Sequence, residues 1–281
     1  MVFQKKADKS SSLTDSMFLR RFVTTFTIGP LALWFIYLGG WFYFIPLCLI
    51  VGLATVEYAT LLGHLGWRLP LWILLPAVVL QLVAAQWPSL QLSGPVLVIS
   101  LLVAMLYALW LYERRASAVV PADWAGLAAG ILLLGWVSSH FFRLRGVEHM
   151  AAQWTVLAML STWIADSAAY IFGTLLGKHK LAPRLSPNKT IEGYIAGIVL
   201  GTGLTTVLGY VLQLPWTVAL LLGLLISVIS PAGDLGISLF KREAGVKDSG
   251  RILPGHGGAL DRIDSLVWSV TIAYYVIIYL T

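Results

Sequence analysis

A polar stretch from Ser238 to Asp264 carries the side chains best suited to chemistry in this 281-residue chain. Charged residues fill nine of the 24 positions from Lys241 to Asp264, whereas they make up 11% of the whole chain. Both signs of charge occur, together with the run Pro254-Gly255-His256-Gly257-Gly258. Carboxylates hold divalent cations, basic side chains neutralise phosphate, and glycines let a backbone approach a ligand closely. The stretch therefore favours a polyanionic ligand held through metal ions.

Two acidic residues in this stretch are spaced to bind a metal ion. Asp261 and Asp264 lie three positions apart at the predicted start of the last helix, so their side chains share a face. The pair could hold one divalent cation or flank two, and hard oxygen ligands suit Mg2+, which bridges carboxylates to substrate phosphates. Asp264 could instead be a helix N-cap. His256 could contact phosphate or hydrogen-bond its own loop.

The composition indicates a membrane protein. Hydrophobic residues make up 58% of the chain, which leaves too little polar surface to cover a soluble globule. Transporters, channels and lipid enzymes all remain open on composition alone. The net charge of +6 does not indicate a nucleic-acid partner, because membrane proteins carry basic cytoplasmic loops. Cys48 is the single cysteine, so no disulfide framework is expected.

Apolar runs of about 17 to 25 residues predict an all-α, polytopic membrane helix bundle with about nine transmembrane helices. The runs cover residues 22–38, 41–62, 71–86, 95–112, 124–142, 153–172, 193–212, 216–240 and 263–280. We divide the chain into a cytoplasmic N-terminal segment (1–21), N-terminal transmembrane helices (22–150) and a C-terminal transmembrane catalytic region (151–281). No cleavage pattern closes the first apolar run, so we interpret it as a retained helix.

The positions of lysine and arginine predict a cytoplasmic N-terminus. With that orientation 17 of the 19 basic residues lie on the cytoplasmic side, and only Arg143 and Arg145 lie outside. This bias also favours an odd number of spans. The segment from Arg143 to Glu148 does not follow this bias, because it places two arginines on the outer side.

Three acidic residues fall within predicted spans: Glu57, Asp166 and Asp234. Ionised groups in hydrocarbon are costly, so function is the first interpretation and helix packing the alternative. The predicted topology puts all three in the cytoplasmic half of the membrane, where they could border one cavity. Glu57 has no motif around it. Pro231 and Gly233 predict that the helix kinks or breaks just before Asp234.

A second polar segment, from Lys178 to Glu192, combines four basic residues with hydroxyl and amide groups just before a predicted helix. Backbone N–H groups at a helix start attract phosphate, and Ser186 and Lys189 could reach a phosphate bound there. A basic cytoplasmic turn without ligand is the alternative. The same choice applies to Lys241, Arg242, Lys247 and Arg262, which could neutralise phosphate or contact anionic lipid.

Together these residues resemble the phosphatidate cytidylyltransferases, also called CDP-diacylglycerol synthases. The signature is similar to Ser238-x-Phe240-Lys241-Arg242-x4-Lys247-Asp248-x-Gly250-x2-Leu253-Pro254-Gly255-His256-Gly257-Gly258-x2-Asp261-Arg262-Ile263-Asp264. Shorter similar pieces are Asp166-x2-Ala169-Tyr170-x2-Gly173, Gly177-Lys178, Ser186-Pro187-x-Lys189-Thr190-x-Glu192-Gly193 and Gly233-Asp234-Leu235. The resemblance covers residues 163–265, while the first 150 residues agree only in hydrophobicity. Ala259, Ile191 and Ile237 depart from the family pattern, and Ile237 stands where relatives often have an acid.

The resemblance implies transfer of a cytidylyl group from CTP to phosphatidic acid, which yields CDP-diacylglycerol and pyrophosphate for phospholipid biosynthesis. It implies the catalytic residues Asp234, Asp261, Asp264, Lys241, Lys247, Asp248 and His256. It implies the substrate-binding residues Asp166, Tyr170, Lys178, Ser186, Lys189, Arg242 and Arg262. Asp234, Asp261 and Asp264 would hold Mg2+ or another divalent cation. The expected partners are CTP, phosphatidic acid and the lipid bilayer of the inner, cytoplasmic membrane, with the site facing the cytoplasm. A homodimer is left open, and no nucleic acid is expected.

Two other functions use the same features. A CTP-dependent polyprenol or phytol kinase-like enzyme would have similar membrane character but would release CDP. An ion-coupled transporter would use Glu57, Asp166 and Asp234, yet it predicts duplicated halves with matched broken helices, and the sequence has no such repeat.

Overall fold

The protein is an all-α bundle with one small β-hairpin, as described by a computed structural model over residues 29–250 and 257–281. Its helices are α1 (Gly29–Leu38), α2 (Gly40–Gly63), α3 (Leu71–Gln86), α4 (Ser93–Glu113), α5 (Val120–Gly130), α6 (His140–Arg145), α7 (Ala151–Leu176), α8 (Ile191–Val211), α9 (Trp216–Glu243), α10 (Leu260–Ile263) and α11 (Leu266–Leu280). A π-helix, Ile131–Val137, joins α5 to α6, and a 3-10 turn, Pro88–Leu90, precedes α4. The hairpin strands are β1 (Lys180–Ala182) and β2 (Ser186–Thr190).

Seven helical stretches of the described chain are long and apolar enough to cross a membrane. They are Gly40–Gly63, Ser93–Glu113, Val120–Arg145, Ala151–Leu176, Ile191–Val211, Trp216–Glu243 and Leu260–Leu280. Two further apolar helices, Gly29–Leu38 and Leu71–Gln86, are shorter. The prediction of an all-α polytopic membrane protein is therefore confirmed, while the count of nine spans and the orientation of the N-terminus stay predictions.

The helices that carry the candidate site pack through small residues. Gly197 and Gly201 of α8 face Ala165 of α7, and a Cβ added at Gly201 would lie 2.9 Å from the Ala165 Cβ. Gly209 of α8 meets Ala219 of α9 in the same way. Small residues let helix backbones approach closely in lipid, where the hydrophobic effect does not drive helices together. The α7, α8 and α9 backbones are thereby fixed relative to one another.

The hairpin between α7 and α8 is a feature that the sequence did not predict. Its strands pair antiparallel, with Lys180 opposite Thr190 and Ala182 opposite Ser186. From the sequence, this polar segment is either a phosphate-binding loop before a helix or a basic turn, and Ser186-Pro187-Asn188-Lys189-Thr190 lacks the apolar alternation typical of a strand. Thr190 then caps α8 by accepting a hydrogen bond from the Gly193 N–H at 3.2 Å. Lys189 therefore stands one residue before a capped helix start.

The sequence predicts a kink or a break before Asp234. Helix α9 continues through Pro231 over Trp216–Glu243, so the break is not found. Gly233 has a packing role instead. A Cβ added there would overlap the backbone carbonyl of Asp264 and come within 2.7 Å of the Trp268 side chain. The glycine thus lets α9 touch the start of the last helical stretch, and this contact brings Asp234 next to Asp264.

Candidate active site

Most of the charged residues singled out in the sequence lie at one end of the bundle, on four segments that converge there. Asp166 comes from α7, Lys189 from β2, and Asp234 and Lys241 from α9, while Asp261 and Asp264 come from the start of the last helical stretch. The Asp166 carboxylate interacts electrostatically with Lys189 and Asp234. The Asp264 carboxylate interacts with Asp234, Lys241 and Asp261. The sequence prediction that the upstream acids border the polar stretch is consistent with this arrangement.

An accessible ion pair links the hairpin to α9. The Lys189 Nζ lies 2.7 Å from Asp234 Oδ2, and the two side chains are 29% and 32% exposed. The Ser238 hydroxyl is 3.5 Å from Asp234 Oδ1, at the outer limit of a hydrogen bond. Both partners are thus reachable by a ligand that enters from the end of the bundle.

A second ion pair is buried. The Lys241 Nζ lies 2.7 Å from Asp261 Oδ1, and the side chains are only 8% and 11% exposed. Asp261 Oδ2 accepts hydrogen bonds from the Ser249 N–H at 2.9 Å and the Gly258 N–H at 3.1 Å. The Ser249 hydroxyl lies 3.0 Å from the same oxygen. Asp261 therefore organises the polar stretch as well as balancing the Lys241 charge.

Asp264 is a buried carboxylate beside Asp234. Its side chain accepts a hydrogen bond from the Ser265 N–H at 2.7 Å, and the residue is 9% exposed. The N-cap of α11 is Ser265 rather than Asp264, so the capping alternative raised by the sequence does not describe its position. Burial of an acid next to two others requires a compensating positive charge, and Lys241 supplies part of it.

The carboxylates have the donor chemistry for Mg2+ but do not form a closed protein cage. Within residues 29–250 and 257–281, no three Asp, Glu, His or Cys side chains are grouped closely enough to hold one metal ion. Mg2+ usually takes one or two carboxylates and completes its shell with substrate phosphates and water. The neighbouring Asp234 and Asp264 fit that pattern. Asp261 already has Lys241 and the Ser249 and Gly258 N–H groups as partners, and its assignment to the metal stays a prediction.

Residues predicted to bind substrate occupy two kinds of position. Tyr170, Lys178 and Arg262 are exposed, and Ser186 is half-buried in β2. Arg242 instead joins α9 to the hairpin, since its Nε donates to the Leu185 carbonyl at 3.1 Å and its Nη1 donates to the Val246 carbonyl at 3.2 Å.

The remaining predicted catalytic residues lie after α9. Lys247 and Asp248 are exposed. A Cβ built on Gly257 would lie 3.2 Å from Asp261 Oδ2 and 3.8 Å from Asp248 Oδ1, so the Asp248 and Asp261 carboxylates both approach Gly257. His256 lies outside the described residues.

Glu192 and Ser249, two polar residues that shape the site, were given no role from the sequence, and Glu57 was recognised there only as one of three acids that could border the cavity. Glu192 accepts hydrogen bonds from the Lys178 N–H at 3.0 Å and the His179 N–H at 3.2 Å, and it pairs with His179 Nδ1 at 2.6 Å. Glu192 thereby fastens the start of the hairpin to α8. An acid in the first turn after a threonine cap was the available signal. Ser249 gave no comparable signal. Glu57 stood out as an acid within an apolar run, but its partners are remote in sequence and were not predicted.

Two cavities in the described part of the chain bear on the location of the site. The one near the charged residues has a volume of about 430 Å3 and lies between the hairpin tip and the end of α9, with Arg184, Arg242 and Glu243 in its wall. The larger, of about 680 Å3, lies at the opposite end of the bundle beside Tyr43, Arg143 and Tyr274. It contains none of the predicted site residues.

Comparison with known proteins agrees with the sequence resemblance. The profile of the cytidylyltransferase family matches residues 19–280. The chain belongs to the cytidylyltransferase family. Among curated relatives, the phosphatidate cytidylyltransferase of Bacillus subtilis is 41% identical over 148 residues, which are 52% of this chain and 55% of that protein. The phosphatidate cytidylyltransferase of Staphylococcus aureus is 37% identical over 186 residues, which are 63% of this chain and 70% of that protein.

A third relative extends the pattern. The phosphatidate cytidylyltransferase of Staphylococcus haemolyticus is 38% identical over 172 residues, covering 59% of this chain and 64% of that protein. The family assignment made from the signature residues is confirmed. A cytidylyltransferase must bring two phosphate compounds together, and the paired lysines and carboxylates are groups of the kind required.

Proposed function

We propose that the protein transfers the cytidylyl group of CTP to phosphatidic acid and releases pyrophosphate. The observation that carries the proposal is the convergence of Asp234, Asp261 and Asp264 with Lys189 and Lys241 at one end of an apolar helix bundle. Membership of the cytidylyltransferase family and the names of its relatives support the same substrates. An apolar bundle also gives a diacyl lipid a way to reach the site sideways from the membrane.

The reaction needs positioning and charge neutralisation more than a strong base. A phosphatidate oxygen is already anionic, so it can attack the α-phosphorus of CTP without losing a proton to the protein. The new P–O bond forms as the bond from the α-phosphorus to the bridging oxygen breaks, and pyrophosphate leaves with the electron pair. Two anions must approach in line, which requires their repulsion to be screened.

Lys189 is the residue best placed to screen that repulsion. Its ammonium is partly exposed and its partner Asp234 comes from another segment, so a phosphate could compete for it. Lys241 is buried against Asp261, and we assign it to holding the geometry of the polar stretch. Lys247, an exposed neighbour, remains a candidate for contact with the triphosphate.

We assign Asp234 and Asp264 to a divalent cation, with Asp261 as a further predicted ligand. Mg2+ bound there would polarise the α-phosphate and neutralise the departing pyrophosphate. Asp234 and Asp264 would hold the cation, and the partly exposed Lys189 ammonium, which pairs with Asp234 here, would be within reach of a substrate phosphate. Asp166, which interacts with both members of that ion pair, would add to the negative charge that attracts the cation.

The orientation in the membrane is part of the proposal. We infer nine spans with a cytoplasmic N-terminus in the inner, cytoplasmic membrane, supported by the distribution of basic residues in the sequence. The charged end of the bundle then faces the cytoplasm, where CTP is found. Assembly as a homodimer stays a prediction, and cross-linking in native membranes would test it.

The test is a product assay on the purified protein in phosphatidate micelles with CTP labelled at the α-phosphate and with Mg2+. We expect label in CDP-diacylglycerol and one pyrophosphate for each lipid formed. Asp234→Asn should abolish incorporation, whereas Glu113→Gln, at an exposed acid on the end of α4, should not. Release of CDP instead of pyrophosphate would indicate a lipid kinase, and normal turnover by Asp234→Asn would reject the proposed site.

A further inference from the structure

Glu57 of α2 is a buried acid for which the mechanism above has no use. The residue is 4% exposed, and it comes from the N-terminal helices rather than from the region that carries the signature. Its Oε2 accepts a hydrogen bond from the Ser249 hydroxyl at 2.9 Å and another from the Leu260 N–H at 2.9 Å. These donors lie on either side of the glycine-rich segment. We call the residues Ser249–Gly250 and Gly258–Leu260 its two flanks.

The two flanks are shaped to fit the Glu57 carboxylate. A Cβ added at Gly250 would overlap Glu57 Oε1, and one added at Gly258 would overlap Glu57 Oε2 and the Ser249 hydroxyl. Any side chain at either position would therefore push the carboxylate away. The glycines of the signature, interpreted from sequence as points of close approach to a ligand, here approach an acid of the protein itself.

The same flanks hold Asp261. The N–H groups of Ser249 and Gly258 both donate to Asp261 Oδ2, and the Ser249 hydroxyl lies within 3.0 Å of that oxygen as well as 2.9 Å from Glu57. A hydroxyl has one proton to donate, so it can serve only one of the two carboxylates at a time. Glu57 therefore reaches Asp261 through one intervening residue, and Asp261 in turn holds Lys241.

We propose that Glu57 is a positioning residue, which fixes the two flanks so that Asp261 and Lys241 keep the geometry required for cytidylyl transfer. In this role Glu57 does not contact the substrate and acts only as a hydrogen-bond acceptor for both flanks. The expected loss of kcat rests on the proposed function. The expected loosening of the two flanks does not. A loosened site of this kind loses rate more than it loses substrate affinity, because small misplacements of catalytic groups are costly in the transition state.

The kinetic test compares four purified variants with the wild type. Glu57→Ala is expected to lower kcat by roughly 10- to 100-fold, with KM values for CTP and phosphatidate changed by less than about threefold. Glu57→Gln keeps an acceptor oxygen at the same reach and should stay within about threefold of the wild-type kcat. Glu57→Asp is too short to reach both flanks and should behave like Glu57→Ala. Thr55→Val is the control, since the Thr55 hydroxyl donates to the Val51 carbonyl of its own helix.

Hydrogen–deuterium exchange supplies a readout that needs no activity. Amides of the two flanks should exchange faster in Glu57→Ala and Glu57→Asp, while amides of α8 should be unchanged. Wild-type rates in Glu57→Asp, a Glu57→Gln variant as slow as Glu57→Ala, or unchanged exchange at the flanks would each overturn the proposal. If the wild type made no CDP-diacylglycerol, the proposed function would fall and the exchange experiment would still decide the role of Glu57.

Discussion

Lys189 in the hairpin and Asp234 in α9 are joined by an ion pair of 2.7 Å across the opening of the candidate site. Lys241 and Asp261 form a pair of the same length that is largely buried. The two pairs therefore differ in burial and not in the distance between nitrogen and oxygen. This difference separates the expected effects of mutation on stability from those on activity.

Lys189→Ala should reduce kcat/KM by at least about tenfold, because it removes the accessible cation that would screen the repulsion between the two phosphates. Stability should change by less than about 1 kcal/mol, since ion pairs open to solvent contribute little. Initial rates and thermal unfolding in detergent measure the two effects. Lys180→Ala, at an exposed lysine of β1, is the control. A wild-type rate in Lys189→Ala would contradict its assignment.

Asp261→Asn should lose stability as well as activity. It leaves the Lys241 ammonium buried without its counter-charge, which typically costs about 3 to 5 kcal/mol. The double variant Lys241→Met, Asp261→Asn should recover much of that stability and none of the activity. Thermal unfolding of the single and double variants measures the coupling between the two residues. Equal stability of the two variants would mean that the pair is not coupled.

Asp264→Asn should raise the Mg2+ concentration needed for half-maximal rate by about tenfold, because it removes one of two adjacent carboxylates from the proposed metal site. Manganese binding followed by electron paramagnetic resonance gives a readout that does not depend on turnover. Glu243→Gln, at an exposed acid near the end of α9, should bind manganese like the wild type. Unchanged manganese affinity in Asp264→Asn would remove this residue from the metal site.

Gly257→Ala should impair the enzyme more than its backbone cost explains. Gly257 has φ of 79°, a conformation that costs other residues about 1 to 2 kcal/mol. Gly245 has φ of 69° and open space around its Cβ position. Both alanine variants should therefore lose similar stability. Only Gly257→Ala adds an atom beside Asp261, and it alone should lower kcat strongly; equal kcat values in the two variants would contradict this.

The inferred orientation is open to chemical labelling. Cys48 is the only cysteine, so a Cys48→Ser background permits single cysteines at Glu243 and Glu148, which are both exposed. In intact cells an impermeant maleimide should label Glu148→Cys, while Glu243→Cys should react only after lysis. The reverse pattern would place the charged end of the bundle outside.

Helices were predictable where burial in lipid demands long apolar runs. The predicted span 71–86 coincides with helix Leu71–Gln86, and the span 216–240 falls within Trp216–Glu243. The hairpin was not predictable, because its strands are short and polar and are stabilised by Glu192 and Arg242 rather than by apolar alternation.

The charged residues of the site stood out because such groups are rare in an apolar chain. Which of them pair with each other could not be predicted, since Lys189 and Asp234 are distant in sequence and other carboxylates were equally available to each lysine. Glu57 also stood out as an acid within an apolar run, but its partners were not predictable. Its hydrogen bonds span 192 and 203 positions of the chain, and local sequence patterns carry no information over such separations.

Helix α3 has 16 residues, which at about 1.5 Å per residue gives a length of roughly 24 Å. The hydrocarbon core of a typical bilayer is about 30 Å thick. If α3 crosses the membrane, as the proposed nine-span topology requires, this hydrophobic mismatch should thin the membrane beside Leu71 and Leu80, whose side chains are exposed. The protein would then prefer lipids with shorter acyl chains around it, so the thickness of the surrounding bilayer becomes a variable that the lipid product of the proposed reaction could alter.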